Sequence, residues 1–234
     1  MADLQLRILS GGAAQGAVDA VTPQYRAQTG CEVVGTFGAV GAMKERLLAG
    51  EAADIVILTG ALVAELAAAG HVLPDSCADL GRVRTGVAAR EGDPIPDVSS
   101  GPALRVALLA APEIHFADPQ RATAGIHFAK VLDKVGVRAA LAPRLRPQPN
   151  GLTAMRELAR AAGSGALGCT QITEIKQTPG VTLVGPLPEE FELATVYSAA
   201  LCAKAASRDL ARRFIALLTG ETTRTIRAQL GFEF

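Results

Sequence analysis

Apolar, strand-like segments alternate with helix-like segments in the first third of the chain. The strand-like segments lie at residues 4–9, 31–37 and 53–59, and the helix-like segments follow at residues 15–29, 38–50 and 60–70. The third strand-like segment (ADIVILT) is apolar almost throughout, as expected of a strand that is buried on both faces. Three strand–helix units in succession predict a parallel sheet with helices on both sides, and therefore the α/β fold class.

The rest of the chain predicts further strands and helices in a less regular order. Strand-like segments lie at residues 83–91, 113–118, 166–172, 181–188 and 194–203. Helix-like segments lie at residues 103–110, 123–136, 151–163, 207–220 and 223–231. The proline-rich stretch LAPRLRPQPN, residues 141–150, predicts a connection without regular structure.

This order of elements predicts two lobes joined by a two-strand hinge. Lobe I comprises residues 1–82 together with residues 198–234, and lobe II comprises residues 83–197. The strand-like segments near residues 83–90 and 194–203 are expected to cross between the lobes. A chain that leaves a lobe and later returns to it permits closure on a ligand, so we expect a ligand cleft between the two lobes.

Composition argues against several classes of partner and cofactor. The 234 residues carry 23 basic and 23 acidic side chains, and no basic run or bilayer-length apolar run is present. This balance gives no support for a nucleic acid or a membrane span. The four cysteines lack metal-site spacing, and the chain has no convincing P-loop or dinucleotide-binding motif. We therefore expect no metal ion and no cofactor.

The first strand-like segment begins at residue 4, and no signal peptide precedes it. Two locations stay open on this observation. The protein is cytoplasmic if Met1 is the native start, and it is periplasmic if the chain is a trimmed mature form. A membrane transporter is an expected partner only if the protein is exported.

The junction between the first strand and the first helix (SGGAAQG) is rich in small residues. A helix start presents backbone N–H groups and the positive end of the helix dipole, which suit an anion. We expect Ser10, Gly12 and Gln15 to bind a small anion there, and the alternative is a helix cap with a tight turn. We also expect Gly41 and Thr59 to bind the ligand. They follow the next two strands, at the edge where open α/β sheets bind ligands.

Lobe II offers a second set of ligand-binding candidates. They are Arg84, Thr123, Ala124, Gly125, Asn150 and Gln171. Arg84 can hold a carboxylate through two parallel hydrogen bonds. Thr123 is placed to cap a helix whose first amides can bind an anion. Asn150 is either a helix cap or a ligand contact, and the amide of Gln171 can hydrogen-bond a carboxylate.

Three residues are candidates for proton transfer. His127, near the start of a helix, can donate a hydrogen bond to a carboxylate or shuttle a proton, and the alternative is a packed or solvated histidine. Glu174 is a general base if it is buried beside the ligand, or it complements a helix dipole. Tyr197 lies on the returning hinge strand, where its phenol can face the cleft.

Several segments resemble the molybdate-binding type of solute-binding protein, which has the type II periplasmic-binding-protein fold. They are ILSGGAAQGAVDAV, GTFGAVGAMKERLLAGEAADIVILT, DPQRATAGIHFAKVLDKVG, GALGCTQITEI and FIALLTGETTRTIRAQLGFEF. The resemblance implies a two-lobed fold and a small anion as ligand. It places the oxyanion-binding serines of that family at Ala13 and at residues 39–41, its alanine amide at Ala124 and its tyrosine at Gln171. Each lost bond to a charged group costs roughly 1.5–3 kcal/mol, which favours an organic carboxylate over molybdate.

The segments GCTQITEI and VTLVGPLPEEFELATVYSAALCA are similar to a divergent branch of the same superfamily that includes aconitate isomerase. This second resemblance implies an alternative function, a cofactor-free isomerase that shifts an allylic proton in a tricarboxylate. Arg84 and the loop amides would then hold the carboxylates and stabilise the developing charge. Small-anion binding, isomerisation and a cytoplasmic sensor without catalysis all remain open.

Overall fold

The computed structural model describes residues 5–234, and these residues form two compact units. Unit 1 comprises the chain up to Arg82 together with Thr195–Phe234, and unit 2 comprises Val83–Ala194. Each unit is built on its own set of strands with helices packed against them, so the predicted α/β class is confirmed. Within residues 5–234, no helix has the length and apolar character that a membrane span requires.

Unit 1 is organised around three parallel strands and one antiparallel strand. The strands are β1 (Gln5–Gly11), β2 (Glu32–Gly38), β3 (Ile55–Thr59) and β9 (Ala194–Leu201), in the order β2-β1-β3-β9. The helices are α1 (Gln15–Thr29), α2 (Val40–Leu48), α3 (Gly60–Ala68), α9 (Arg208–Thr219) and α10 (Arg224–Leu230). β2 and β3 run parallel to β1, and β9 runs antiparallel to β3. β3 is buried along its whole length, as its apolar sequence predicts.

Unit 2 also combines parallel and antiparallel strands with packed helices. Its strands are β4 (Ala78–Arg90), β5 (Ile114–Ala117), β6 (Leu145–Gln148), β7 (Leu167–Gln171) and β8 (Val181–Pro186). The first five residues of β4 belong to unit 1, and the strand enters unit 2 at Val83. Its helices are α4 (Gly101–Ala110), α5 (Thr123–Lys134), α6 (Arg138–Leu141), α7 (Gly151–Arg160) and α8 (Ile172–Lys176). β5 pairs in parallel with β6 and with β7, whereas β4 pairs antiparallel with β7 and β8.

Five short 3₁₀ segments complete the secondary structure of the described residues. They are Gly12–Ala14, Pro74–Ser76, Ala142–Arg144, Glu189–Phe191 and Glu221–Thr223. The first lies directly between β1 and α1, so the small-residue junction of the sequence begins as a tight helical turn.

The sequence prediction for residues 141–150 was wrong, because β6 lies within this proline-rich stretch. Pro147 sits opposite Phe116 in the parallel pairing with β5. β6 is the last strand of its sheet, and an edge strand tolerates proline because one side of its backbone has no strand to pair with.

The strands of unit 2 separate two apolar clusters. Val87 and Cys169 belong to one cluster together with residues of α4 and α5, such as Leu104 and Phe128. Ala88 belongs to the other cluster, which is built mainly on α7 and α8. Because side chains alternate along a strand, residues two positions from Val87 and Cys169 face the side of α4 and α5.

Candidate functional site

In both units, helices begin where parallel strands end. In unit 1, the carboxyl ends of β1, β2 and β3 lead into the helical turn before α1, into α2 and into α3. In unit 2, the carboxyl end of β5 precedes α5, that of β6 precedes α7, and that of β7 precedes α8. Parallel strands align these helix starts along one edge of each sheet, which is where open α/β sheets bind ligands.

The first junction of unit 1 offers backbone donors rather than side-chain hydroxyls. The Ser10 hydroxyl is fully buried and donates to the Gly11 carbonyl oxygen at 2.9 Å, so the structure uses it for local backbone bonding. Gly12 is buried in the 3₁₀ turn, and Gln15 is the first residue of α1. Neither the 3₁₀ turn nor α1 has a side-chain cap among the described residues.

Gly11 shows how closely this junction is packed. A Cβ atom added at Gly11 would lie 2.7 Å from Val40 Cγ1 and 3.2 Å from Tyr197 Cε1. The start of α2 and the buried Tyr197 ring therefore both contact the end of β1. Glycine is required here because of this close approach.

The other two junctions of unit 1 differ from each other. α2 begins after Ala39 with no side-chain cap from residues 5–234, and Gly41 is its second residue. α3 is capped by Thr59, whose hydroxyl oxygen accepts from the Leu62 N–H at 3.3 Å. Tyr197 pairs with Thr59 across β3 and β9, so the structure places it at the same strand end.

In unit 2, the start of α5 is uncapped and tightly packed. Ala122 occupies the N-cap position and Thr123 is the first helical residue, so the expectation that Thr123 caps this helix was wrong. Ala122 offers no side-chain oxygen, and none of the described residues caps the helix in its place. Ala124 and Gly125 are buried, and a Cβ at Gly125 would overlap the carbonyl oxygens at the end of β5.

α7 is capped by Asn150, whose side-chain oxygen accepts from the Thr153 N–H at 2.8 Å. Of the two roles predicted for Asn150, the structure therefore shows the helix cap. A contact between Asn150 and a ligand stays a prediction.

Glu174 connects the start of α8 with the start of α7. Its carboxylate accepts from the Thr170 hydroxyl and from the Gln171 N–H, the arrangement of an N3 glutamate that closes on its own N-cap. Burial raises the pKa of Glu174 to about 7, although both hydrogen bonds act in the opposite direction. A Cβ at Gly151 would overlap this carboxylate, so the glycine lets the two helix starts meet.

Gln171 pairs directly with Thr85 across β7 and β4. Gln171 is 2 % exposed and Thr85 is fully buried. Neither the side-chain amide of Gln171 nor the hydroxyl of Thr85 has a hydrogen-bond partner among residues 5–234. The position of Thr85 opposite Gln171 depends on strand register, which the sequence does not reveal.

His127 and Arg84 are held by other parts of unit 2. His127 Nε2 lies 2.7 Å from the Phe191 carbonyl oxygen, which can only accept, so Nε2 carries the proton and Nδ1 is the basic nitrogen. Arg84 lies 3.9 Å from Glu192, in a groove lined by residues 96–99 and 184–189. None of residues 96–99 and 184–189 is a predicted ligand contact. A contact between Arg84 and a ligand stays a prediction.

Within residues 5–234, no group of three histidine, cysteine, aspartate or glutamate side chains is arranged to hold a metal ion. Apart from the Glu174 carboxylate, the polar groups described at the helix starts are backbone N–H groups, hydroxyls and amides. Such donors bind anions by hydrogen bonding.

Comparison with known proteins matches the chain to a protein family. The family model described as bacterial extracellular solute-binding protein matches residues 6–233. An aconitate isomerase from Pseudomonas sp. is 30% identical over 227 residues, covering 92% of this chain and 82% of the relative.

Two solved structures show the same fold. The periplasmic molybdate-binding protein of Azotobacter vinelandii has a TM-score of 0.81 at 20% identity, covering 98% of this chain and 99% of that chain. The sulfate-binding protein of Mycobacterium tuberculosis has a TM-score of 0.76 at 17% identity, covering 98% of this chain and 86% of that chain.

Proposed function

Because the chain belongs to the family of bacterial extracellular solute-binding proteins, we propose that it binds a small organic carboxylate. The observation that carries this proposal is the set of uncapped helix starts at the carboxyl ends of parallel strands. α1 with its preceding 3₁₀ turn, α2 and α5 have no side-chain cap among the described residues. An anion supplies the acceptor that the first N–H groups of a helix otherwise lack.

The side chains at these starts favour a carboxylate over a tetrahedral metal oxyanion. The resemblance to the molybdate-binding type of protein implies that Ala13 and residues 39–41 stand where that family has hydroxyl donors. The Ser10 hydroxyl already donates to the backbone. Loss of several charge-assisted bonds, at roughly 1.5–3 kcal/mol each, weakens the binding of a small, highly charged oxyanion. A carboxylate needs fewer donors at each end, so backbone N–H groups suffice for it.

The family supports a proposal for the compartment and the macromolecular partner. The molybdate-binding neighbour is a periplasmic protein, and a solute receptor of this kind delivers its ligand to a membrane transporter. We propose this role for an exported form of the protein. A form that stays in the cytoplasm would act as a sensor or an enzyme on the same class of ligand.

A ligand panel followed by thermal unfolding tests the proposed function. The panel contains molybdate, tungstate, sulfate, citrate, cis-aconitate and trans-aconitate. A ligand present at 100 times its Kd stabilises the folded state by about 2.7 kcal/mol, which raises the midpoint by roughly 5–10 °C for a chain of this length. We expect such shifts with the carboxylates. Shifts with molybdate or sulfate alone would refute the carboxylate proposal.

The 30% identical relative favours isomerisation of an aconitate-type tricarboxylate as a second candidate function. In such a reaction a base removes an allylic proton, the electron pair delocalises toward a carboxylate, and an acid returns a proton three atoms away. His127 Nδ1 is the candidate base because Nε2 is held by Phe191. Glu174 and Tyr197 remain candidates to return the proton.

Proton NMR of cis-aconitate incubated with the protein tests the second candidate directly. Interconversion with trans-aconitate that is lost in His127→Ala supports it. Binding of aconitate without interconversion limits the protein to the receptor role.

A further inference from the structure

Thr85 and Gln171 form a buried polar pair that the fold itself does not use. The two residues are register partners, and their side chains lie on the sheet face that also carries Val87 and Cys169. This is the face of α4 and α5, and Gln171 stands at the strand end beside which α5 begins. Thr85 is fully buried and Gln171 is 2 % exposed.

The backbone around the pair is already satisfied. The Thr85 N–H donates to the Leu193 carbonyl at 3.0 Å, and the Thr85 carbonyl accepts from the Leu187 N–H at 3.0 Å. The Gln171 N–H donates to Glu174. The side-chain hydroxyl and amide are therefore not needed for secondary structure, and neither has a partner among residues 5–234. Buried polar groups without a partner are rare in proteins, and each needs an explanation, such as a bound ligand or water.

The chemistry of the two side chains limits what they can bind. The Gln171 amide has an oxygen that only accepts and a nitrogen that only donates, and the Thr85 hydroxyl does both. Sulfate, molybdate and ionised carboxylates only accept hydrogen bonds, so they leave the Gln171 oxygen unsatisfied. A hydroxyl group donates one hydrogen bond and accepts others, so it can satisfy both side chains together.

We propose that Thr85 and Gln171 bind a hydroxyl group of the ligand, so that the protein selects hydroxycarboxylates over carboxylates that lack this group. This proposal rests on the proposed carboxylate-binding function and specifies its substrate class. The ligand hydroxyl donates to the Gln171 amide oxygen and accepts from the Thr85 hydroxyl. The Gln171 amide nitrogen donates to a neighbouring carboxylate oxygen of the same ligand. A site built to bond a hydroxyl discriminates strongly against the analogue without it.

Citrate and tricarballylate provide a matched pair of ligands, because they carry the same three carboxylates and differ by one hydroxyl. Isothermal titration of the full chain should give a Kd for citrate at least about 10-fold lower than that for tricarballylate, which corresponds to one hydrogen bond. Thr85→Val keeps the side-chain shape and should bring the two Kd values within about threefold of each other. Gln171→Leu should also bring the two Kd values within about threefold of each other. Thr182→Val is the control, at an exposed position of β8, and it should keep the ratio of the two Kd values found in the wild-type protein.

The possible results separate this proposal from the carboxylate-binding function. Equal Kd values for the two ligands in the wild-type protein overturn the hydroxyl proposal and leave carboxylate binding intact. A ratio that survives in Thr85→Val also overturns it, whether or not Gln171→Leu folds. If neither ligand binds while sulfate or molybdate does, both proposals fail.

Discussion

Replacement of Glu174 by glutamine should change how the stability of the protein depends on pH. Glu174 is 5 % exposed, and burial raises its pKa from 4.5 to about 7. The folded state therefore holds a proton on this group between about pH 4.5 and pH 7, whereas the unfolded state has released it. Because the folded state binds more protons, the free energy of unfolding falls as the pH rises through this window.

The size of the effect follows from the pKa. One pKa unit corresponds to about 1.36 kcal/mol, so Glu174 lowers the free energy of unfolding by about 3 kcal/mol between pH 4.5 and pH 7.5. Glutamine resembles the protonated acid and can still accept from the Gln171 N–H at the helix start. Glu174→Gln should therefore be close to wild type at pH 4.5 and about 3 kcal/mol more stable than wild type at pH 7.5.

Urea unfolding at pH 4.5, 5.5, 6.5 and 7.5 measures this difference. Glu91→Gln is the matched control, since Glu91 is an exposed residue of the same unit and the substitution removes the same charge. A difference between Glu174→Gln and wild type that is constant from pH 4.5 to pH 7.5 would refute the reasoning. It would mean that Glu174 ionises at the same pH in the folded and unfolded states.

Two further substitutions test the helix starts of unit 2. Gly151→Ala places a Cβ against the Glu174 carboxylate and should lower the free energy of unfolding in urea by about 1–3 kcal/mol. Gly185→Ala is the control: its Cβ would lie 3.7 Å from Val98 Cγ2, an ordinary contact, so the substitution should be nearly neutral. Thr123→Pro removes the first N–H group of α5 at a position that tolerates proline, and it should weaken carboxylate binding by about 10- to 150-fold in calorimetry. Thr123→Ala keeps that N–H group and should bind the carboxylate nearly as well as wild type. If Thr123→Ala loses as much affinity as Thr123→Pro, the effect belongs to the Thr123 hydroxyl and not to the N–H group.

The strand–helix order was predictable from the sequence because most strands of the core are strongly apolar. β3 is buried throughout and appears as the continuous run IVILT. β6 was missed because its sequence, LRPQ, is only four residues long, contains a proline and has no β-branched or aromatic residue. Its place comes from pairing with β5 at the edge of the sheet. Local sequence cannot reveal a strand whose stability depends on its neighbour.

The binding chemistry was harder to predict because much of it is carried by the backbone. At the start of α2 and of α5 the residues are Ala39 and Ala122, which contain no side-chain donor that a motif search could detect. Thr59 was predicted as a ligand contact, and Asn150 as either a helix cap or a ligand contact. The structure shows that each caps a helix. The sequence pattern of a polar residue before a helix is the same in both roles, so only the hydrogen-bond partner separates them.

The two units offer different kinds of donor, and this difference indicates where selectivity arises. The helix starts of unit 1 present mainly backbone N–H groups, because the Ser10 hydroxyl donates to the Gly11 carbonyl oxygen. The Thr59 hydroxyl accepts from the Leu62 N–H and keeps its own proton to donate. Backbone N–H groups attract any anion and distinguish poorly between a carboxylate and sulfate. Unit 2 adds the amide of Gln171 and the hydroxyl of Thr85, which no other group among residues 5–234 satisfies. Substitutions of Thr85 or Gln171 should therefore change the order in which ligands are preferred, and not only the affinity for all of them together.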